Sequence, residues 1–476
     1  MWLVTGASTP LGGWLADALQ AQGTAVRLVD SVALSPTAAA RFPAAEVFTT
    51  PLDAGEATDR LMDGVVGVLH VVPYHCRYGA EEGLTAGAGW LDECTRRTYH
   101  LFAAAAGAPT VRRVLLVSTL DLFAPYPPEL VIDETWLPRP TTSGTVLGPH
   151  LAEFVAREFG RCSASLRVAV ARLGRLTAEL GAEEQRAVSA LLSLLSDVEG
   201  EEYWSQGNNV VGNFVAAADD VLSFRITHLD IGHTSRGQPP SDIPIDNLPR
   251  GAVSRGMKPT GDDVLLLGGR GMLGPDVVVA LREAGRTVRV TDKTTAGGGG
   301  GGPGSAAQQM ETLDAEEVDI GAGLQVLTAA KGTSVIVNCA VNRTDHDLAF
   351  HVNTAGTYFA LLAAVAQGHE RFVNTGPMTV IAGEDEASGT FYQLREEGPL
   401  QPGTNLYAMT KALGVLISRV FSDCFPISVL TCCLSQLIDP KDAPAAGGGL
   451  RPFATTKRDV ATGVALATSV ELSKMP

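Results

Sequence analysis

The feature that most constrains this chain of 476 residues is a strand-like run followed by closely spaced glycines, and the chain carries it twice. The clearer copy is LLLGGRGMLG at Leu265–Gly274, and MWLVTGASTPLG at Met1–Gly12 resembles it. ADALQAQGTAVRLVD, which ends at Asp30, matches VVALREAGRTVRVTD, which ends at Asp292, at a constant offset of 262 residues. This period is far too long for a solenoid unit, so it predicts the duplication of a whole domain.

The composition between the two copies indicates where one domain ends. Residues Thr234–Thr260 are rich in Pro, Gly and Ser and lack any helical or strand periodicity, which is typical of a linker. We therefore predict a first domain at 1–233, a linker at 234–260 and a second domain at 261–476. In each half, short runs of Val, Leu and Ile alternate with longer amphipathic stretches. This alternation predicts an α/β fold of two tandem Rossmann-type domains, each a doubly wound parallel sheet covered by crossover helices.

Bulk composition restricts the partners and the location of the chain. With 36 Lys and Arg against 52 Asp and Glu, the net charge is -16, which disfavours binding to nucleic acid or to an anionic membrane. No apolar run approaches the roughly 20 residues of a membrane span, and no signal or transit peptide precedes the first strand. The seven cysteines are odd in number and lack C-x-x-C spacing, which indicates reduced thiols. We expect a cytoplasmic protein without a metal site, because the nine histidines show no ligand spacing.

The second glycine stretch has the form of a dinucleotide site. Gly268 allows a tight turn, Gly271 allows the backbone to approach a pyrophosphate, and Gly274 allows the following helix to pack closely on the strand. The start of that helix would then face the negative charge of the pyrophosphate. Asp292, about 20 residues further on, would accept hydrogen bonds from the ribose hydroxyls.

The residues around the acidic position bear on which dinucleotide would bind. The carboxylate of Asp292 repels a 2′-phosphate, which favours NAD over NADP. Arg270 and Lys293 weaken this preference, because either side chain is long enough to reach a phosphate. The first copy has Thr9 in place of the middle glycine, and its Cβ would crowd a pyrophosphate. For the first half, nucleotide binding and a fold kept without its ligand both remain open.

The stretch NLYAMTK holds a candidate acid/base group. Tyr407 and Lys411 are four residues apart at the start of a predicted helix, so both side chains project from one face. A positive charge beside a phenol stabilises the phenolate and lowers the pKa of the tyrosine from about 10. We therefore predict that Tyr407 acts as a general acid or base near neutral pH, with Lys411 as its electrostatic partner.

This combination of motifs resembles the short-chain dehydrogenase/reductase superfamily, in particular its extended branch of NAD-dependent epimerases, dehydratases and 3β-hydroxysteroid dehydrogenases, in two tandem copies. The resemblance implies that Tyr407 exchanges a proton with the substrate oxygen while Lys411 holds the cofactor ribose. It also implies hydride transfer between the substrate carbon and the nicotinamide. Asp314 matches the family position that contacts adenine, and Asn338 and Ala340 belong to the VNCA segment that lines the cofactor.

The chain departs from the family pattern at the hydroxyl that orients the substrate oxygen. The position of the family serine falls on Pro377, so Thr375 or Thr379 would have to supply this hydroxyl, and we favour Thr375 as the third catalytic residue. In the first half, the offset of 262 places Thr145 and Pro149 where the second half has its tyrosine and lysine. We therefore do not expect hydride chemistry of the family type in the first half.

Two functions follow from these residues. The leading hypothesis is an NAD-dependent oxidoreductase or epimerase that acts, in its second half, on a secondary alcohol or ketone of a small-molecule substrate. The alternative is a non-catalytic NAD(H)-binding sensor or scaffold built on dehydrogenase folds. Members of the superfamily often pair through a helix bundle that includes the tyrosine-bearing helix, so a homo-oligomer is also among the expectations.

Overall fold

The chain forms two compact units in the computed structural model, with a division after Ser241. The structure describes residues 1–72, 89–163, 165–196, 210–211, 214–215, 224–234, 236–237, 248, 263–293, 314–386, 398–438 and 454–470. Unit 1 contains Met1–Glu82 and Ala86–Ser241, and unit 2 contains Asp242–Pro476. The division falls inside the predicted linker 234–260, but most of that segment lies outside the described residues, so its boundaries stay a prediction.

Unit 1 is built on a seven-stranded sheet in the order β3-β2-β1-β4-β5-β6-β9, in which every neighbouring pair is parallel. The strands are β1 Trp2–Thr5, β2 Val26–Asp30, β3 Glu46–Thr49, β4 Gly67–Val71, β5 Arg113–Thr119, β6 Arg167–Leu173 and β9 Phe224–Leu229, with a separate hairpin of β7 Val210–Val211 and β8 Phe214–Val215. The helices are α1 Pro10–Ala21, α2 Pro36–Ala40, α3 Glu56–Arg60, α4 Thr98–Gly107, α5 Gly144–Cys162 and α6 Ala182–Ser196. A π-helical turn at Glu93–Arg97 precedes α4, and a 3₁₀ turn at Leu120–Phe123 follows β5.

Unit 2 is built on a six-stranded parallel sheet in the order β12-β11-β10-β13-β14-β15. The strands are β10 Val264–Leu267, β11 Val288–Asp292, β12 Glu316–Glu317, β13 Val335–Asn338, β14 Arg371–Pro377 and β15 Ser428–Leu434, with a parallel pair of β16 Leu437–Ile438 and β17 Thr455–Thr456. The helices are α7 Gly274–Glu283, α8 Gly323–Ala329, α9 His346–Ala349, α10 Gly356–Ala366, α11 Thr379–Glu386, α12 Leu406–Cys424 and α13 Lys457–Ala467, and a π-helical turn at Phe350–Ala355 joins α9 to α10.

Both sheets have the strand order of the doubly wound Rossmann fold, so the predicted fold class is confirmed. In each unit the second and third strands are added on one side of the first strand, and the later strands are added on its other side. This reversal lies between β1 and β4 in unit 1 and between β10 and β13 in unit 2. Because loops on either side of a reversal diverge, a crevice opens there at the carboxyl ends of the strands, and ligands of this fold bind in it. The candidate site of unit 2 is therefore at the ends of β10, β13 and β14.

One helical run corrects an expectation from the sequence. The π-helical turn joins α9 and α10 into one continuous helix, His346–Ala366, which is 21 residues long. By length and composition this helix is apolar enough to cross a membrane. The expectation that no apolar run reaches this length is therefore wrong. Every residue of α10 is buried, and the run as a whole is mostly buried within unit 2. A helix that is apolar on all sides and enclosed by its own domain is a core helix.

The elements that border the site form for local reasons. All four residues of β10, Val264–Leu267, and all four of β13, Val335–Asn338, are buried, as central parallel strands require. Asn405 caps α12, because its side-chain oxygen accepts a hydrogen bond from the backbone N–H of Ala408 at 3.1 Å. The cap fixes the start of the helix on which Tyr407 is the second residue.

A buried histidine makes the stability of unit 1 depend on pH. The ring of His70 on β4 lies 2.7 Å from Thr5 Oγ1 and 2.9 Å from Thr98 Oγ1, and burial lowers its pKa to about 3. Below about pH 6.5 the unfolded chain binds a proton on this histidine, whereas the folded chain excludes it. Each further decrease of one pH unit therefore lowers the free energy of unfolding by about 1.4 kcal/mol, until the pKa of the folded chain is reached. We expect the unfolding free energy to drop by about 2 kcal/mol between pH 7 and pH 5 from this residue alone.

Urea unfolding at the two pH values, followed by tryptophan fluorescence, measures this effect. All five tryptophans belong to the first half of the chain, at positions 2, 14, 90, 136 and 204, so the signal reports on unit 1. His70→Gln keeps two hydrogen-bonding atoms but has no titratable proton, so its pH dependence should be weaker by the same amount. An equal loss of stability in both proteins would contradict the assignment.

Candidate active site in unit 2

The glycine turn after β10 packs against the segment that follows β13. Gly268 has a φ of 78°, a conformation that side chains with a Cβ rarely adopt. A Cβ at this position would lie 2.6 Å from the backbone N and Cα of Ala340. At Gly274, a Cβ would lie 2.2 Å from the carbonyl oxygen of Gly269, so the first residue of α7 rests directly on the turn. A Cβ at Gly271 would lie 3.2 Å from Gly268 O, which would narrow the space above the turn.

Asp292, the last residue of β11, places its carboxylate beside this turn. One carboxylate oxygen accepts a hydrogen bond from the backbone N–H of Arg270 at 2.8 Å, and the other accepts one from Lys293 N–H at 2.8 Å. The residue is partly exposed, so its oxygens keep acceptor capacity toward a ligand. The α7 helix that follows the turn begins after Leu273 without any side-chain cap. The turn therefore presents a carboxylate on one side and an uncapped helix start on the other.

The acidic residue at the far side of the crevice is Asp319 and not Asp314. The exposed Asp314 lies just before β12, and Glu317 of β12 is level with Asp292 in the parallel register. Residues beyond Glu317 therefore reach the carboxyl edge of the sheet, whereas Asp314 lies toward the opposite edge. Asp319 occupies the carboxyl edge, and the structure corrects the position predicted from the sequence. The reason is that β12 is a two-residue strand of glutamates, which hydrophobic patterning does not reveal.

Asp319 forms an ion pair with Lys293, one of the two basic residues that flank Asp292. Its carboxylate lies 3.1 Å from Lys293 Nζ and 3.0 Å from His351 Nε2, and it accepts a hydrogen bond from Gly321 N–H at 3.0 Å. Burial raises the pKa of Asp319, but the hydrogen bonds from Lys293 and Gly321 and the contact with His351 outweigh burial and lower it overall. The carboxylate is therefore ionised at neutral pH and holds the ammonium of Lys293.

Asn338, at the end of β13, has a buried side chain that stabilises the ends of the strands. Its buried side chain donates to Asn374 Oδ1 at 3.2 Å and accepts from the backbone N–H of Ala340 at 3.2 Å. These bonds hold the half-buried peptide of Ala340 at the point where the glycine turn packs on it. Ala340 is therefore the residue of the predicted VNCA segment that borders the crevice most directly.

Lys411 reaches the same point from α12. Its buried ammonium donates to the carbonyl oxygen of Ala340 at 3.0 Å and to that of Thr375 at 3.1 Å. Burial lowers the pKa of Lys411 to about 8; the charge of Arg343 lowers it too, whereas Cys339 raises it. The lysine is still mainly protonated at pH 7, and it bridges the carboxyl ends of β13 and β14.

The positive charge beside the phenol of Tyr407 belongs to Arg343, which the sequence did not suggest. The guanidinium carbon lies 5.3 Å from the centre of the Tyr407 ring. Burial raises the pKa of Tyr407, while the charge of Arg343 and a hydrogen bond from it act in the opposite direction without cancelling the rise. The expectation that Lys411 lowers this pKa is wrong for the phenol in this structure, because the lowering charge comes from Arg343 and burial outweighs it. No spacing rule connects a loop arginine to a helix 64 residues later.

Thr375 turns its hydroxyl into the sheet. Its Oγ1 donates to the carbonyl oxygen of Asn338 at 3.0 Å, and the residue is buried on β14. Pro377 ends the same strand, in register with Leu434. Thr379 follows as the half-buried first residue of α11, beyond the strand end. Of the two threonines considered for the orienting hydroxyl, Thr375 already has a backbone partner.

Unit 1 has a different arrangement at the corresponding places. Thr9 caps α1: its hydroxyl accepts from Gly12 N–H at 3.1 Å and donates to Gly6 O at 2.7 Å. The buried side chain therefore occupies the inside of the turn. Helix α5 has the same length of 19 residues as α12, and Thr145 and Pro149 stand where the offset of 262 placed them, the proline inside the helix. Among the described residues of either unit, no cluster of His, Cys, Asp or Glu has the arrangement of a metal site.

Comparison with known proteins finds one family model that matches the second half of the chain. Residues 264–447 match the model of the NAD dependent epimerase/dehydratase family. The match covers the sheet of unit 2 and less than half of the whole chain, and it includes the glycine turn, Tyr407 and Lys411. No curated protein matches the sequence.

Several solved structures are also similar to part of the chain. MoeE5 in complex with UDP-glucose and NAD is 26% identical, over 36% of this chain and 53% of its own, with a TM-score of 0.30. A short-chain dehydrogenase/reductase superfamily protein from Agrobacterium tumefaciens with bound NAD is 29% identical, over 37% of this chain and 50% of its own, with a TM-score of 0.31. The UDP-glucose 4-epimerase of Thermotoga maritima with UDP-glucose is 21% identical, over 36% and 54%, with a TM-score of 0.29. The chain thus spans about half the length of the structures it matches.

Proposed function

We propose that unit 2 binds NAD and acts as an oxidoreductase or epimerase on a secondary alcohol or the corresponding ketone of a small molecule. The observation that carries this proposal is the meeting of two motifs at one peptide. Gly268 of the glycine turn packs on the backbone of Ala340, and Lys411 donates to the carbonyl of the same residue. Tyr407 precedes Lys411 by one helical turn. The candidate cofactor turn and the candidate acid/base residue therefore border one crevice.

The surroundings of the turn suit NAD better than NADP. Asp292 offers a carboxylate where the ribose hydroxyls would bind, and it would repel a 2′-phosphate. Lys293, which was a candidate for holding that phosphate, is paired with Asp319. Asp319, at the carboxyl edge, replaces Asp314 as the residue we propose for the adenine contact.

The residues of the chain supply proton transfer and orientation. NAD, when bound, accepts or supplies the hydride at the substrate carbon. Tyr407 donates its phenol proton to a ketone oxygen during reduction and takes the proton of the alcohol during oxidation. Because its pKa is raised, the phenol is protonated at neutral pH and is ready for the reduction direction. Lys411 fixes the strand ends of β13 and β14, and we propose Thr379 for the hydroxyl that orients the substrate oxygen, since Thr375 is engaged with Asn338.

Unit 1, in this proposal, is a diverged copy without catalysis. The hydroxyl of Thr9 is hydrogen-bonded at the start of α1, and its Cβ lies where the pyrophosphate would approach. Thr145 and Pro149 provide neither a phenol nor an ammonium. Loss of the acid/base pair and closure of the turn both act against a second active site.

A non-catalytic NAD(H)-binding sensor or scaffold is the second candidate function. The observation in its favour is Pro377 at the position of the family serine, together with the engaged hydroxyl of Thr375. Turnover of any secondary alcohol or ketone that is lost in Tyr407→Phe would exclude this candidate. Conversely, NADH-dependent capture of a partner without any turnover would favour it.

A fluorescence titration of the full chain with NADH and NADPH tests the proposal. We expect one NADH site per chain and at least about tenfold weaker NADPH binding, since about 1.4 kcal/mol of repulsion at Asp292 corresponds to that ratio. Gly271→Val should abolish the site by filling the space above the turn. Two sites per chain would contradict the role given to Thr9 in unit 1, and a failure to bind either nucleotide would contradict the proposed function.

A further inference from the structure

Arg343, beside the candidate acid/base residue, forms no ion pair with any Asp or Glu among the residues that the structure describes. Arg343 lies exposed in the loop after β13, with its guanidinium stacked over the ring of Tyr407. In the described part of the chain, Tyr407 is its partner, and no Asp or Glu forms an ion pair with it. The contact with the Tyr407 ring leaves part of the exposed guanidinium facing solvent.

The loop that carries Arg343 is held in a fixed position relative to Tyr407. Asn353 is fully buried on the π-helical turn; its side chain accepts from the backbone N–H of Asn342 at 3.1 Å and donates to Asn342 O at 2.7 Å. The same amide donates to Thr410 Oγ1 at 2.9 Å, and Thr410 in turn bonds to the carbonyl of Tyr407 at 3.2 Å. One buried amide therefore connects the loop to the helix of the phenol, which preorganises the arginine.

The acidic residue nearest in sequence is engaged elsewhere. Asp345 caps α9, because its carboxylate accepts from the backbone N–H groups of Asp347 at 3.0 Å and Leu348 at 2.8 Å. A guanidinium has five N–H donors in a planar fork, and Tyr407 takes only part of this capacity. The remaining donors suit the paired oxygens of a carboxylate or phosphate, which an arginine binds with two parallel hydrogen bonds.

We infer that Arg343 binds an anionic group of the substrate, a carboxylate or phosphate carried within a few bonds of the carbon whose oxygen meets Tyr407. This inference rests on the proposed function of unit 2 and narrows its substrates to anionic alcohols and ketones. The anion would be held at one edge of the guanidinium while the phenol stays against its face. Arg343 would thus orient the reacting oxygen toward Tyr407 as well as increase affinity.

Calorimetric titration of the full chain with matched acid and amide ligands tests the inference. The probes are 2-oxobutanoate and 2-oxobutanamide, and a second pair, dihydroxyacetone phosphate and dihydroxyacetone, distinguishes phosphate from carboxylate. NAD⁺ is present, so that no hydride is available, and each titration is repeated without it. In at least one pair we expect the anion to bind about 10- to 100-fold more tightly than its neutral partner. Arg343→Gln should remove this ratio, and Arg343→Lys should leave part of it, because an ammonium lacks the fork.

A matched variant separates a local from a general effect of charge. Arg458 on α13 is also exposed, and Arg458→Gln should keep the full preference for the anion. The inference is overturned if neither pair shows a preference in the wild-type chain, or if the preference persists in Arg343→Gln. Anion binding that depends on Arg343, in a chain that binds no NADH, would support the anion site while it contradicts the proposed function. If the chain binds NADH but binds the acid and the amide with equal affinity, the proposed function would be supported and the anion site at Arg343 would be contradicted.

Discussion

Replacing Tyr407 by phenylalanine is expected to lower kcat by about a hundredfold to ten-thousandfold while the Kd for NADH stays unchanged. The variant removes only the hydroxyl that exchanges a proton with the substrate, and general acid/base catalysis contributes about this much to a reaction rate. The ring that Arg343 stacks on and the helix that carries Lys411 remain in place. The measurements are steady-state kinetics on the first alcohol or ketone found to turn over, and an NADH titration of the same preparation.

Tyr358→Phe is the matched control for this variant. Tyr358 is a buried tyrosine of α10 in the same unit, so its replacement also removes a phenol hydroxyl from the core of unit 2. We expect it to keep kcat within a small factor. Undiminished turnover in Tyr407→Phe would refute the assignment of the acid/base residue, and an equal loss in both variants would point to a general disturbance of the unit.

Gly268→Ala is expected to destabilise unit 2 by about 2 to 5 kcal/mol and to abolish NADH binding. About 1 to 2 kcal/mol comes from placing a Cβ at a φ of 78°, and the rest, about 1 to 3 kcal/mol, from forcing the Cβ against the backbone of Ala340. The backbone of Ala340 cannot move away easily, because Lys411 and Asn338 both form hydrogen bonds with it. Urea unfolding followed by circular dichroism measures the loss.

Gly285→Ala isolates the contribution of the clash. Gly285 has nearly the same φ, 76°, but a Cβ there would meet nothing within 4 Å. It should therefore lose only the conformational part, about 1 to 2 kcal/mol, and should keep NADH binding. Tryptophan fluorescence provides an internal reference, because unit 2 has no tryptophan and the transition of unit 1 should not move. Equal losses in the two alanine variants would show that the packing of Gly268 on Ala340 contributes nothing.

The fold was predictable because its signals are local. A buried run such as VLLL at Val264–Leu267 and a glycine turn at Gly268 each describe a few consecutive residues, whose conformation depends mainly on their own side chains. The pairing of Tyr407 with Lys411 is also local, since both stand on one helix face. These patterns led to the parallel sheets, the crevice and the helix of the candidate acid/base pair.

The details of the site were not predictable for a different reason. Asp319 took the place expected for Asp314, because the edge strand between them is only two glutamates long and carries no hydrophobic pattern. The hydroxyl of Thr375 is bonded to Asn338 on the neighbouring strand, a contact that depends on the strand order. Arg343 meets Tyr407 through a loop that Asn353 holds from a third element.

The sequence by itself determined the alternation of buried strands and crossover helices in this protein, and that its second half keeps the glycine turn together with Tyr407 and Lys411. Only the tertiary structure decided which charge faces the phenol and which oxygen each donor meets. The physical reason is that backbone conformation follows from neighbouring residues, whereas the charge that a buried group experiences is set by whichever side chains the crossovers bring beside it. Lys411 thus bonds to two carbonyl oxygens, and the exposed Arg343 stands against the ring of Tyr407.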